Sequence, residues 1–205
     1  MVEFLDIYDA NGRLVGQADR NVAHAFGLWH KTIHCWVVWD GKLVFQRRGS
    51  RAGVRRDNLY VSASGHVAAG ETIPKAFARE VEQEIGIAAQ GPKFLDEFVW
   101  VKDMKKADGS VVVDRAFSNV FWAEHSGKIE DFKFNDGEVH SVVAIDLDSF
   151  ADWSFFAEGE IDGLEWDGKN VRAVKIAAED FLLNDGETIA KKYGMIADMI
   201  QGWTE

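Results

Sequence analysis

A short acidic helix that follows a glycine loop is the feature that most constrains the fold of this chain. The segment from Gly65 to Ile87 reads GHVAAGETIPKAFAREVEQEIGI. At about 100° per residue, its apolar residues form one stripe: Ile73, Phe77, Val81 and Ile85. Glu84 lies about 20° from Phe77 on this helical wheel, and Glu80 lies at the edge of the stripe. Because a carboxylate that faces a core is unfavourable unless it is paired or binds a cation, the pattern indicates a metal site.

The same segment resembles the Nudix box. That pattern is a glycine, five residues, Glu, seven residues, and then Arg-Glu-apolar-any-Glu-Glu-any-Gly-apolar. The matching positions are Gly65, Glu71, Arg79, Glu80, Val81, Glu84, Gly86 and Ile87. One position departs, because Gln83 stands where the family has the first Glu of its Glu-Glu pair. The match at eight of nine specified positions makes this a specific resemblance.

The resemblance implies a loop-helix-loop that holds Mg²⁺ or Mn²⁺ against a small-molecule diphosphate substrate. The implied metal ligands are Glu80, Glu84, Gln83 and His66, and the structural residues of the motif are Gly65, Glu71, Arg79 and Gly86. Glu80 and Glu84 are also the implied catalytic acids, and Glu71 is expected to hold Arg79 and so brace the helix. Since Gln83 offers only a neutral oxygen, the number of bound metals stays open.

The rest of the chain predicts an α+β fold, one domain over residues 1–205 with its core at about 30–150 and a C-terminal elaboration at 151–205. The family's α/β/α sandwich with a mixed sheet is compatible with this pattern. Turn dipeptides predict three hairpins, around Asn11-Gly12, Asp40-Gly41 and Asp108-Gly109. The acidic helix is expected to begin after Thr72 and end at Gly86. Further predicted elements are a strand at Val139–Leu147 and helices at Asp148–Asp152, Ala177–Leu183 and Glu187–Ile200.

Charge and composition limit the kinds of partner that we expect this chain to bind. The formal net charge is −11, which argues against a general binder of nucleic-acid polymers. The single cysteine, Cys35, excludes an internal disulfide framework and suits a reducing cytoplasm. The start MVEFLDIYDANG has neither a basic nor an apolar signal region, and no apolar run approaches the roughly 20 residues that span a bilayer. We therefore expect a cytoplasmic protein without a membrane partner. The tail beyond Phe150 is a candidate lid or homodimer contact.

Five of the ten arginines lie between residues 47 and 56. In a chain of this negative charge they predict a local phosphate-binding region just before the metal loop, because the planar guanidinium binds phosphate oxygens in pairs. The candidate substrate-binding residues are Arg47, Arg48 and Arg51, with Arg48 and Arg51 favoured over Arg55 and Arg56.

Outside the box, roughly residues 3 to 150 resemble the isopentenyl-diphosphate isomerase-like branch of the superfamily. Phrases such as GLWHKTIHCWVV, LVFQRRGS and SASGHVAAGE carry this resemblance. True isomerases of that branch have a protonating cysteine where this chain has Ser64, and they bind a metal through histidines that match His24, His30 and His66. Their acidic strand corresponds to Asp114-Arg115-Ala116, in which one carboxylate is shortened and another is absent.

These departures favour a hydrolase of a diphosphate linkage over an isomerase, because Glu80 is an acid that hydrolases of the family keep. The general base stays open between Asp114 and Glu138. An alternative is a catalytically impaired domain that binds a nucleotide or diphosphate as a sensor, which Gln83 and Ala116 favour. The leaving group of the substrate stays open.

Overall fold

A mixed sheet of nine strands forms the centre of the protein. A computed structural model describes residues 2–48, 58–89, 91–105, 111–134, 137–181 and 186–204 of the chain. The strands within these ranges are β1 (Phe4–Tyr8), β2 (Leu14–Asp19), β3 (His30–Trp39), β4 (Lys42–Arg48), β5 (Leu59–Tyr60), β6 (Ala63–His66), β7 (Lys93–Lys105), β8 (Val111–His125), β9 (Val139–Asp146), β10 (Ile161–Trp166) and β11 (Val171–Ile176). The helices are α1 (Arg20–Phe26), α2 (Ile73–Ile85), α3 (Leu147–Phe156) and α4 (Gly186–Thr204).

The strand order of the main sheet is β11-β10-β9-β4-β3-β8-β7, with β5 on β4 and β6 on β3. The β3–β8 pair is parallel and its other pairs are antiparallel. Strands β1 and β2 form a separate N-terminal hairpin. The α+β class, the mixed sheet, the N-terminal hairpin and the C-terminal helix are therefore as the sequence predicted.

Two cores lie on opposite faces of the main sheet. On one face the apolar stripe of α2, with Phe77, Val81 and Ile85 fully buried, packs against Ile33 and Val37 of β3. On the other face α3 and α4 pack over residues of β3 and β4, where Trp36, Phe45 and Tyr193 of α4 stack edge to face or tilted. The strand period of two carries successive β3 side chains into these two cores. This is the expected α/β/α arrangement.

The predicted hairpins around Asn11-Gly12 and Asp40-Gly41 are confirmed as β1–β2 and β3–β4. Strands β7 and β8 pair as the third prediction requires, although its turn at Asp108-Gly109 lies outside the described residues. The helix after Thr72 is also confirmed, with Pro74 in its first turn and Gly86 as its left-handed C-cap. Local signals were sufficient here because turns and caps depend on neighbouring residues.

The predicted helix at Ala177–Leu183 is wrong for its described part. Residues Ala178–Asp180 form only a 3₁₀ turn, which ends at the extended residue Phe181. Phe181 is fully buried among Phe45, Phe150 and Tyr193, and its backbone pairs with Leu59. This tertiary contact outweighs the helical period of the segment. Helix α1 and the β10–β11 hairpin were not predicted. No helix in the described part of the chain is long and apolar enough to cross a membrane.

Candidate active site

Helix α2 presents two carboxylates to the sheet. Its end is fixed at Gly86, which has a φ of +71° and whose N–H bonds to the carbonyls of Val81 and Glu82. A side chain at residue 86 would also collide with the backbone of Lys133. Because the apolar stripe of α2 packs on β3, the side of the helix that carries Glu80 and Glu84 also faces the sheet. These two residues are only 9% and 4% exposed.

Glu84 is bound by neutral donors on the sheet. Its Oε2 accepts hydrogen bonds from the backbone N–H of Ser64 at 2.8 Å and from Nε2 of Gln46 at 3.0 Å. Burial raises the pKa of Glu84 to about 7, against the opposing effects of the Ser64 N–H and the nearby Arg48 guanidinium. Among the described residues Glu84 forms no ion pair. Its negative charge is thus poorly compensated, a state that a bound cation would relieve.

Glu80 lies directly against the backbone of Gly65. A Cβ built at residue 65 would overlap the carboxylate of Glu80, so only glycine leaves room for it. Nη1 of Arg79 donates to Oε1 of Glu80 at 2.6 Å. Burial nevertheless raises the pKa of Glu80. Two buried carboxylates one helical turn apart therefore meet the Ser64–Gly65 backbone.

Arg79 ties the helix to the loop that precedes it. Its Nε and Nη2 donate to the two carboxylate oxygens of Glu71 at 2.9 and 2.8 Å. Nη2 also donates to the carbonyl of His66 at 2.9 Å, and Nη1 donates to Oε1 of the exposed Gln83 at 3.3 Å. The bond from Arg79 lowers the pKa of Glu71, which also accepts from the N–H of Ala68. The bidentate pair fixes the position from which Glu80 and Gln83 are presented.

Strand β6 separates two groups of polar side chains. It pairs with β3, so that Gly65 lies opposite Ile33, and Ser64 and His66 lie opposite His34 and Thr32. Ile33 faces the core under α2, and residues on alternate positions face the other side. His66 was expected beside Glu80 and Glu84, but the structure directs its side chain away from them.

His66 joins His24 and His30 in a histidine cluster, whose ligand atoms all lie within 4.8 Å of one another. Nε2 of His24 is 3.0 Å from Nε2 of His66, and the His30 and His66 rings stack with their centroids 5.1 Å apart. Burial lowers the pKa of His66 to about 2 and also lowers the pKa of His24. Those two rings are consequently neutral at physiological pH, the form in which histidine binds metals.

Asp114 on β8 faces the histidine cluster. Its Oδ1 is 3.5 Å from Nε2 of His30 and 3.8 Å from Nδ1 of His24. Nδ1 of His30 is 2.9 Å from the carbonyl of Leu28, to which it can only donate, so in the tautomer with a single proton Nε2 is free to act as a ligand. Three buried atoms here have no hydrogen-bond partner in the described part of the chain, namely His24 Nδ1, His30 Nε2 and Asp114 Oδ1. Unpartnered nitrogen and carboxylate atoms that converge in this way are suited to hold a cation.

The structure gives different partners to the arginines of the predicted phosphate-binding region. Nε of Arg47 is 3.0 Å from Oε1 of the buried Glu165, which Arg172 also binds. Arg48 lies on the ring of Tyr60, and its Nη2 is 3.7 Å from Oε2 of Glu138. Arg51, like Arg55 and Arg56, lies outside the described residues. Arg48 therefore lies near Glu84 and in contact with Glu138, whereas Arg47 is occupied by a buried acid.

A comparison with protein-family models tests the family resemblance that the segment from Gly65 to Ile87 suggested. The model for the NUDIX domain matches residues 28–166, which include α2, β6 and Asp114. The chain belongs to the Nudix family. Within this Nudix domain the buried pair Glu80 and Glu84 lies on the box helix, while neither this match nor the similar proteins show the isomerase-like branch.

This Nudix protein is similar to curated relatives that carry the family name. An uncharacterized Nudix hydrolase of Clostridium acetobutylicum is 32% identical over 200 residues, which cover 94% of this chain and 92% of the relative. One from Streptomyces coelicolor is 37% identical over 100 residues, 48% of this chain and 55% of that relative. A solved structure from Deinococcus radiodurans has a TM-score of 0.54 at 20% identity and covers 73% of this chain and 87% of its own, which supports the fold alone.

Two side chains that bind predicted site residues were missed from the sequence. Gln46, which binds Glu84, belongs to a strand of otherwise apolar buried residues, and a polar side chain in such a run is the signal that could have found it. Glu165, the partner of Arg47, carried no comparable signal because it lies in the acid-rich part of this Nudix chain, far from Arg47 in sequence.

Proposed function

We propose that the protein is a divalent-metal-dependent hydrolase that cleaves a diphosphate linkage in a small nucleoside-diphosphate-type or related substrate. The observation that carries this proposal is the pair of buried carboxylates, Glu80 and Glu84, of which Glu84 has a pKa raised to about 7 and no ion pair among the described residues. Membership of the Nudix family supports the hydrolase class.

Glu80 and Glu84 are the residues that would hold Mg²⁺ or Mn²⁺, since hard cations prefer carboxylate oxygens. Within the described residues each retains an oxygen that is not bonded to protein donors, because the hydrogen bonds go to Oε2 of Glu84 and Oε1 of Glu80. Gln83 would offer a neutral oxygen from the exposed side of α2. A bound cation supplies polarisation of the phosphoryl oxygens and an activated water.

The substrate's phosphates would be bound by Arg48, whose guanidinium lies near Glu84 and is positioned by Tyr60 and Glu138. Arg51 stays a candidate on the sequence evidence. Glu138 is favoured as general base over Asp114, because it lies beside Arg48, whereas Asp114 belongs to the histidine cluster behind β6. Its side chain is half exposed and thus accessible to a water.

The histidine cluster with Asp114 would hold a second cation. The three nitrogens and one carboxylate oxygen suit a transition metal such as Zn²⁺, Mn²⁺ or Fe²⁺ better than Mg²⁺. This observation favours a second candidate function, a prenyl-diphosphate isomerase, since the resemblance attaches a metal at these histidines to that activity. Ser64 opposes it, because a hydroxyl replaces the protonating cysteine of true isomerases.

Release of phosphate and pyrophosphate from nucleoside, nucleotide-sugar, prenyl and thiamine-type diphosphates, with Mg²⁺ or Mn²⁺, tests the proposal. Turnover should be lost in Glu84→Gln and retained in Glu82→Gln, which changes an exposed acid on the same helix. Hydrolysis that survives Glu84→Gln would refute the metal assignment. Binding of a diphosphate without any turnover would favour the sensor, and conversion of isopentenyl to dimethylallyl diphosphate would favour the isomerase.

A further inference from the structure

The main sheet ends at β7, and this strand has an open outer edge in the described part of the chain. Strand β7 pairs along one side with β8, and no described strand lies on its other side. It has 13 residues, whereas strands commonly have about 5 or 6. An edge of this length presents a row of backbone N–H and C=O groups that can pair with a further strand.

The middle of β7 is apolar and exposed on both faces. Phe98, Val99 and Val101 are 41%, 62% and 58% exposed. Proteins usually protect an open edge with a proline, a central lysine or a short strand. None of these devices occurs between Glu97 and Lys102, where the sequence is FVWV. An unprotected apolar edge of this kind is typical of a strand that is covered by a partner.

We propose that β7 pairs antiparallel with β7 of a second copy of this chain across a twofold axis at Val99, which joins the two sheets into one. Val99 is the midpoint of Asp96–Lys102, the stretch of β7 that follows the irregularity between Phe94 and Asp96, so this register pairs that stretch. Within this stretch the charges match, because Asp96 stands opposite Lys102 of the second copy and, by symmetry, Lys102 stands opposite its Asp96. Lys93 and Lys105, which the same axis relates, lie outside the stretch.

The apolar side chains match in the same register. Phe98 stands opposite Trp100 of the second copy on the face that carries Asp96 and Lys102, and this pair also occurs twice. On the other face Val99 meets its own symmetry mate. Cross-strand pairs of aromatic residues, of β-branched residues and of opposite charges each stabilise an antiparallel ladder.

The two neighbouring symmetric registers are less favourable. An axis at Trp100 would place Glu97 opposite Asp103 and so oppose like charges. An axis at Phe98 would place Asp96 opposite Trp100. Its one charge-matched pair would need Lys93, which lies beyond the irregularity in β7 between Phe94 and Asp96. Within Asp96–Lys102 the charge pattern thus favours the register at Val99 for pairing with a second copy.

The proposed interface leaves the described neighbours of β7 in place. The end of α4 approaches β7 at Lys93, where the Lys93 ammonium lies 6.0 Å from the Trp203 ring centroid. The ladder between Asp96 and Lys102 begins past this contact. Lys102 is paired across β7–β8 with Asp114, so the interface adjoins the strand that carries the acid of the histidine cluster.

Light scattering after size exclusion and sedimentation equilibrium across a concentration series test the interface with the full chain. The wild type should form a dimer, and Asp96→Lys or Lys102→Asp should each raise the dissociation constant by about tenfold or more, because two attractive pairs become repulsive. The double variant Asp96→Lys/Lys102→Asp should restore the dimer. Glu160→Lys, which changes an exposed acid next to β10 near the other edge of the sheet, is the charge-matched control and should not dissociate it.

A wild type that stays monomeric at the highest soluble concentration would overturn the proposal. So would a dimer that neither single reversal weakens, since it would use another surface. Single variants that dissociate without rescue in the double variant would refute the register at Val99. Far-UV circular dichroism of every variant separates loss of the dimer from loss of the fold.

Discussion

The carboxylate of Glu80 occupies the space in which a side chain of residue 65 would lie. The glycine of the box is thus favoured by contact with the box helix. Gly65 lies on the face of β6 that meets α2, so its missing side chain lets a buried acid reach the backbone of the strand.

Gly65→Ala should lower kcat or weaken cation binding, because the added methyl group displaces Glu80. A displacement of about 1 Å in an active site can reduce rate by about a hundredfold, and we expect a fall of at least about tenfold. Steady-state kinetics and Mn²⁺ calorimetry would measure it. Gly16→Ala is the control, since a Cβ there meets nothing within 4 Å. Equal behaviour of the two variants would contradict the prediction.

The contribution of Glu84 to the stability of the metal-free protein should fall as the pH rises from about 4.5 to about 7, whereas the buried His66 and His24, whose pKa values are lowered, contribute in the opposite direction. Burial raises the pKa of Glu84 from 4.5 to about 7, so within this window the folded state keeps a proton that the unfolded state has lost. The stabilisation is complete below the unfolded pKa and is lost as the pH passes the folded value. In thermal unfolding with a chelator, the stability of wild type relative to Glu84→Gln should therefore fall as the pH rises through this window. An unchanged slope would show that Glu84 does not titrate there.

The affinity of the protein for a cation should rise as the pH rises. A cation binds the ionised carboxylate, so it must displace the proton of Glu84 below about pH 7. Calorimetry with Mn²⁺ in buffers of different ionisation enthalpy should detect proton release at pH 6 and little at pH 8. Equal release at both values would argue that Glu84 is not a ligand.

Glu71→Gln should reduce the free energy of unfolding by about 1–3 kcal/mol, because it weakens two charge-assisted bonds to the partly buried Arg79. Urea denaturation would measure the change. The matched control is Glu3→Gln, which removes a more exposed ion pair with Arg20 and should cost less than about 1 kcal/mol. Similar losses in both variants would show that Glu71 does not brace the helix.

His30→Ala should abolish a visible Co²⁺ absorption band that the wild type shows on addition of Co²⁺. The reason is that His30 Nε2 is one of the unpartnered atoms that converge with Asp114 and His24. His140→Ala, at an exposed histidine outside the cluster, should leave the band unchanged. The absence of a band in the wild type would refute a metal site at these residues.

The site could be predicted where its parts are close in sequence. Thr72, Pro74 and Gly86 set the bounds of α2, and the apolar stripe set the face on which Glu80 and Glu84 lie. Helix caps and a 3.6-residue period are local properties, so they can be recognised in the sequence alone. The hairpins around Asn11-Gly12 and Asp40-Gly41 were predictable for the same reason.

Only the tertiary structure decided which distant side chains meet. The register of β6 on β3 turned His66 away from Glu80, and the parallel pairing of β3 with β8 brought Asp114 to His30. Likewise, the approach of β10 to β4 gave Arg47 the buried partner Glu165. A strand's side chains alternate between faces, so their destinations depend on pairing register. Register depends on the whole sheet, so it cannot be predicted from any single segment of the sequence.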